Sequence, residues 1–222
     1  MKKLITIADW GDDSLNRQEF KTVVEGYLRD PIDVNIGFIS STSSTIHTAF
    51  LVSQIIETEE QYGRVKDIIL FQNTDPRLQT DEAVEKAEGA EFIIIRLKSG
   101  IFACGPNAGY DFSLIKDKID KVYEYRGLAG GSQFRSRDMY ARVCAHLMDG
   151  MEDDLDLEEG STNIISELEG HYVGHIDNFG NIKTTITKEE LKGKYEYGET
   201  IKIGINTRVR NCLKPSYSSF SP

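Results

Sequence analysis

Apolar positions in this chain alternate between two spacings. Short β-branched runs are followed by stretches in which apolar residues return every three or four positions. Leu4 to Ile7 reads as a first buried strand, and the acidic turn Asp9-Trp10-Gly11-Asp12-Asp13 follows it. From Ser14 to Leu28, Phe20, Val23, Val24 and Leu28 keep one helical stripe that Asp30-Pro31 ends. Val34 to Ile39 is a second strand, Ser40 to Thr45 a polar loop, and Ile46 to Tyr62 a second helix with Phe50, Leu51, Ile55 and Ile56 inward. Ile68 to Phe71 is a third strand. Strand, loop and helix in this order predict a three-layer α/β domain with a mainly parallel sheet, whose ligand-facing loops lie at the carboxyl ends of the strands.

The second half reads differently. Phe92 to Leu97 and Ile101 to Cys104 flank Lys98-Ser99-Gly100 as a hairpin, and Val122 to Tyr125 is a short strand. Asp138 to Met148 is a helix with Met139, Val143 and Leu147 on its buried side. The acidic, glycine-ended run from Met151 to Ser161 reads as a linker or a solvated face. The expected division is an α/β domain over 1–150, an acidic linker over 151–165 and a smaller domain over 166–222. In the last part, His171 to Ile176, Ile182 to Ile186 and Thr200 to Ile205 have the look of an antiparallel, β-barrel-like domain.

Composition narrows the partners. The 222 residues suit two modest domains, and 39% hydrophobic with 28% charged residues is an ordinary soluble balance. A formal net charge of -10 argues against a phosphate-backbone ligand, which needs clustered Lys and Arg. Cys104, Cys144 and Cys212 have neither metal-like spacing nor a disulfide framework, so a reducing cytoplasm is expected. The first apolar run is too short for a signal peptide or a membrane span.

No phosphate loop, dinucleotide fingerprint, HExxH or GxSxG motif is present. Gly127 to Gly131 lacks the lysine of a phosphate cradle and reads as a flexible loop. His171 and His175 share a face by their even spacing, as a metal pair or as ordinary edge histidines; no third ligand lies nearby in sequence, and no metal is expected. Asp9, just past a strand, suits the vicinal hydroxyls of a ribose, or equally the cap of the first helix. Asp75-Pro76 again follows a strand, Pro106-Asn107-Ala108-Gly109 forms a tight turn after another, and Ser132 to Asp138 leads into a helix. Gly174-His175-Ile176-Asp177-Asn178-Phe179-Gly180-Asn181-Ile182 puts a carboxylate, a ring and a carboxamide around one glycine turn. Taken alone it is a hairpin with a core Phe.

Together and in order, these segments resemble the S-adenosylmethionine hydroxide adenosyltransferase family of the fluorinase/chlorinase superfamily, from Ile5 to about Ile203. The matching pieces are Ala8-Asp9-Trp10-Gly11, Asp75-Pro76, Gly105-Pro106-Asn107-Ala108-Gly109, Gln133-Phe134-Arg135-Ser136-Arg137-Asp138 with the helix after it, and Asp177-Asn178-Phe179-Gly180-Asn181. The resemblance implies S-adenosylmethionine as substrate rather than cofactor, and attack of water on ribose C5′ to give adenosine and L-methionine. On the matching positions, Asp9 would hold the ribose hydroxyls, Asp177 the methionine ammonium, and Asn181 with Phe179 the adenine; Asn107 and Phe134 complete the substrate-binding set. Asp75, Arg135 and Ser136 stand where the family places its catalytic groups. The resemblance also implies a homotrimer with sites between subunits.

Three departures keep other readings open. Arg135 occupies the position of a catalytic His, and Glu82 that of an Arg; an arginine stays protonated and is no general base. These changes fit a catalytically degenerate homologue that binds S-adenosylmethionine or adenosine. Ser136 matches the hydroxyl of halide-using members, while the interval from Asp75 to Pro106 lacks their inserted loop and Ser or Thr near Ser43 replaces their aromatic residue. The chain also stops at Ser221-Pro222, short of the segment that completes the adenine pocket in the family.

Overall fold

The computed structural model describes residues 1–31, 34–76, 89–125, 127, 134–195 and 204. Two compact units divide the chain, Met1–Thr185 and Ile186–Pro222. The first contains β1 (Lys2–Ala8), α1 (Ser14–Tyr27), β2 (Val34–Ser40), α2 (Thr45–Tyr62), β3 (Ile68–Asn73), β4 (Phe92–Leu97), β5 (Phe102–Pro106), β6 (Ile119–Tyr125), α3 (Ala141–Asp149), β7 (Leu157–Gly160), β8 (Val173–Ile176) and β9 (Ile182–Thr184). In the second, α4 (Lys188–Leu191) starts at a capping box in which Thr187 and Glu190 satisfy each other's backbone N–H groups.

Seven strands form one sheet in the order β2-β1-β3-β5-β4-β6-β7. β2, β1, β3 and β5 are parallel neighbours, and β4 and β7 run against the rest. Period-two alternation sends the strand side chains into two cores. Leu4, Phe71, Phe92 and Ile94 meet Phe20 and Val24 of α1 and Val143 and Leu147 of α3. Ile5, Ile7, Leu70, Ile93 and Ile95 meet Val52 and Ile56 of α2 and Ile115. The result is the expected three layers, and each fully buried Leu, Ile or Phe contributes roughly 1.5–3 kcal/mol.

Helix ends follow their local chemistry. Asp13 caps α1 by accepting from the Asn16 N–H at 2.9 Å. Ser44 caps α2 through the His47 N–H, and α3 ends at Gly150, whose φ of 68° closes the last turn in the left-handed region. The helix expected from Asp138 begins instead as a π-helical turn, Ser136–Tyr140.

The acidic run read as a linker is built into the first unit. Its Leu157–Gly160 segment pairs with β6 at the sheet edge, and Leu155 and Ile165 on either side are buried. The smaller sheet is the two-stranded β8–β9 hairpin. The described residues show no barrel-like domain, and the Thr200 to Ile205 strand lies outside them apart from Gly204. Among the described residues no helix is long and apolar enough to cross a membrane.

Candidate functional site

The chain leaves β1 through α1 to β2 on one side and returns through α2 to β3 on the other. That reversal opens a crevice at the carboxyl ends of β1 and β3, where α/β sheets bind their ligands. Asp9 stands directly after β1, and its N–H donates to the Asn73 carbonyl at the end of β3. Since Asp13 caps α1, the capping role is already filled. Asp9 is open to the crevice, yet crowding by its walls raises its carboxyl above the usual range, with Asp75 adding to the rise and nearby backbone N–H groups opposing it.

Asp9, Trp10, Asn16, Asn73, Asp75, Phe134, Arg135, Ser136 and Tyr140 line a cavity of about 290 Å³ there. Arg135 lines it from the residue before the π-helical turn, and π turns often mark functional positions. The Arg135 Nη2 donates to Asp75 Oδ2 at 3.1 Å, and the Ala90 N–H donates to the same oxygen at 3.1 Å. Gly89 lies so close that a Cβ there would fall on both the guanidinium and the carboxylate. Phe134 is half-exposed beneath the Arg137 guanidinium, 4.8 Å from its ring centre. Among the described residues the buried indole N–H of Trp10 meets no acceptor.

Five of the residues expected from the sequence thus share one cavity: Asp9, Asp75, Phe134, Arg135 and Ser136. Asn107 does not line it; its side-chain N–H donates to the Ile164 carbonyl at 2.9 Å. Arg77, Glu82, Ser132 and Gln133 lie outside the described residues. Sequence reasoning missed Trp10, Asn16, Asn73 and Tyr140, although Trp10 and Asn73 sit within two residues of Asp9 and Asp75. It also missed Asp111, which is 0% exposed in the loop after β5; among the described residues neither of its oxygens is hydrogen-bonded in good geometry. Burial pushes its carboxyl up to about 8, the Ala108 amide eases this, and Asp75 and Asp9 add to it. Beside these carboxylates runs a buried hydroxyl chain, Ser41 to Thr74 at 3.0 Å and Thr74 to Thr48 at 2.7 Å.

Asp177, Phe179 and Asn181 occupy the β8–β9 turn, away from the cavity lining. Asp177 accepts from the Phe179 and Asn181 N–H groups, each at 2.9 Å, and from the Asn181 side chain at 2.8 Å. Those bonds, the Asn181 side chain first, hold its carboxyl below the usual range. Phe179 is 92% exposed, so it is not the core residue of an ordinary hairpin. His171 lies outside β8, and His175 pairs with His47 of α2 rather than with His171. Among the described residues no group of three metal-ligating side chains is assembled.

Fold and site define an α/β protein with an acidic, half-open ligand crevice at a topological switch point. The chain is similar in sequence to a protein named as an S-adenosylmethionine hydrolase. Over 127 residues it is 33% identical to the (R)-S-adenosyl-L-methionine hydrolase of Methanocaldococcus jannaschii, covering 55% of this chain and 47% of that protein. The chain therefore spans about half the length of this curated relative. No family model matches. Two solved structures share the fold: an uncharacterized conserved protein from Thermotoga maritima, with TM-score 0.63 and 16% identity over 88% of this chain and 76% of that one, and a conserved hypothetical protein from Thermus thermophilus, with TM-score 0.60 and 17% identity over 84% and 73%.

Proposed function

We propose that this protein hydrolyses S-adenosylmethionine to adenosine and L-methionine. The observation that carries this is the crevice itself, which brings Asp9, Asp75, Arg135 and Ser136 together in a chain similar to a named hydrolase of that substrate. Water would attack ribose C5′ as the C5′–S bond breaks. The electron pair stays on sulfur, which leaves as the neutral thioether of methionine, so no general acid is needed. The water gives up one proton. Both Asp75 and Ser136 line the cavity; Asp75 would receive this proton, and Ser136 would orient the water in line with C5′. Asp9 would bind the ribose hydroxyls, and the acidic walls favour a cationic sulfonium.

Phe134 serves as an apolar wall of this site, and Asn107 holds the loop after β5 in place. Asp177, Phe179 and Asn181 would read methionine and adenine from a neighbouring copy in a homotrimer, which accounts for a turn so exposed in one chain.

One observation favours a second reading, binding without turnover. Asp75 Oδ2 is already engaged by Arg135 and by the Ala90 N–H, and arginine cannot accept a proton. Incubation with S-adenosylmethionine, with and without chloride, followed by separation of the nucleosides distinguishes the cases. Adenosine supports hydrolysis, a 5′-chloro-nucleoside supports halide transfer through Ser136, and binding without product supports the second reading. No binding and no product would overturn all three.

A further inference from the structure

The strand leading into the Asp177 turn meets the amino end of α2 through two imidazoles. His47 Nε2 and His175 Nδ1 are 3.0 Å apart, with ring planes 14° from parallel and centres 5.3 Å apart. The approach is close, because a Cβ at the buried Gly174 would collide with the Phe50 ring. On its other side, His47 Nδ1 is 3.1 Å from both the Thr42 backbone nitrogen and the Thr42 hydroxyl.

These contacts define the protons. A backbone N–H can only donate, so His47 Nδ1 must carry the lone pair, and neutral His47 carries its hydrogen on Nε2. That hydrogen points at His175 Nδ1, which therefore accepts. The chain Thr42 to His47 to His175 runs one way. A proton added to His47 Nδ1 would displace the Thr42 N–H and leave only the Thr42 hydroxyl to accept it, whereas one added to His175 Nδ1 would face the Nε2–H of His47 and break the contact.

The surroundings offer a second charge little support. Lys183 stands opposite His175 in the β8–β9 register, and its cation disfavours another beside it. Asp177, on the same hairpin, is engaged by Asn181 and by the Phe179 N–H. On α2 the carboxylates Glu57, Glu59 and Glu60 lie toward the far end of the helix, and the loop before it presents the hydroxyls of Ser41, Thr42, Ser43 and Ser44. Burial, with His175 adding to it, holds His47 below the ordinary imidazole range.

We propose that His47 and His175 form a proton-released latch that positions the Asp177–Asn181 turn. The latch is closed while one hydrogen lies between the two facing nitrogens, and acidification opens it by putting a hydrogen on both. Its functional meaning rests on the turn's proposed role in holding ligand, whereas its mechanics do not.

Hydrogen exchange of the β8–β9 amides, corrected for intrinsic rates and referenced to β1 and β3, tests it at about pH 7.5 and 5.5. The expected result is a loss of hairpin protection of about tenfold or more at the lower pH, with β1 and β3 unchanged. His175→Gln keeps an acceptor for His47 but takes no proton, so its hairpin protection should be the same at both pH values. Unchanged protection in the wild type, or an equal loss in His175→Gln, would overturn the latch. Should the variant fold poorly, nitrogen NMR of the wild-type imidazoles decides. The Nε2–H tautomer of His47 and coupled titration of the rings support the latch, and an Nδ1–H tautomer or independent titrations refute it. Calorimetry with S-adenosylmethionine at both pH values separates the two readings. Binding that weakens at low pH in the wild type alone supports both, and no binding at either pH refutes the ligand reading while the exchange result still judges the latch.

Discussion

Arg135 holds Asp75 by a single oxygen, Nη2 to Oδ2 at 3.1 Å, and both side chains are mostly buried in the crevice. The pair turns a position that the family resemblance marks for a proton acceptor into a fixed cation. Arg135→His should therefore speed adenosine release from S-adenosylmethionine by about a hundredfold, the usual size of a general-base contribution at its lower end. Chromatography of the nucleoside product measures it. A slower variant would mean that Arg135 itself stabilises the reacting groups.

Gly89 makes the geometry of that pair testable without altering either charge. A Cβ at Gly89 would occupy the space of both groups, so Gly89→Ala must displace the guanidinium from the carboxylate. Turnover should fall by an order of magnitude or more while the melting temperature changes little, because misplacement of reacting groups by even an ångström is costly to rate. Equal activity in the variant would show that the Arg135–Asp75 contact has no part in the chemistry.

Asp111 predicts an unusual dependence of stability on pH. Its carboxyl is raised from 3.8 to about 8, chiefly by burial, so the folded chain binds the proton more tightly than the unfolded chain. Its contribution to stability is fully present below the unfolded value and is lost progressively as pH rises to the folded value. Asp111→Asn removes this loss while keeping the shape of the neutral acid. Each tenfold in proton affinity is worth about 1.4 kcal/mol, so the variant should gain a few kcal/mol over the wild type near pH 8 and almost nothing near pH 4. Urea midpoints at the two pH values provide the measurement. A gain that is larger at low pH would contradict the burial of an uncharged carboxyl.

The limits of the sequence are physical and differ from residue to residue. Leu4, Ile5 and Ile7 announced the layered core because burial on alternate faces leaves a pattern in the composition of a strand. The hairpin at Lys98-Ser99-Gly100 was legible for its turn chemistry, but not β4's place between β5 and β6, since strand order depends on the path of the whole chain. β7 was hidden because Glu158 and Glu159 join the sheet by backbone bonds while their side chains stay in water. At the site, Asp9 and Asp75 were visible as acids just past strand ends. Asp111 was not, because the burial of the loop after β5 is set only when the chain packs. Phe179 shows the converse: its hydrophobicity was plain, but a residue list does not say whether its own chain covers it.

The exposed turn carries a prediction about assembly. Phe179 is 92% exposed, with Ile176 at 58% and Ile182 at 49% on the same hairpin, and none of them lines the crevice that contains Asp9. If one copy supplies the crevice and the next supplies the turn, Asp9→Asn and Asp177→Ala should each abolish most S-adenosylmethionine binding in pure form. Co-expressed in equal amounts, they should recover part of it. A site is intact only when its crevice comes from the Asp177→Ala chain and its turn from the Asp9→Asn chain, which random mixing in a closed ring gives for about a quarter of sites. Calorimetric stoichiometry on the mixed oligomer reads that fraction directly. Recovery near a quarter requires crevice and turn to meet across copies, because a site completed within one chain would always retain one of the two lesions.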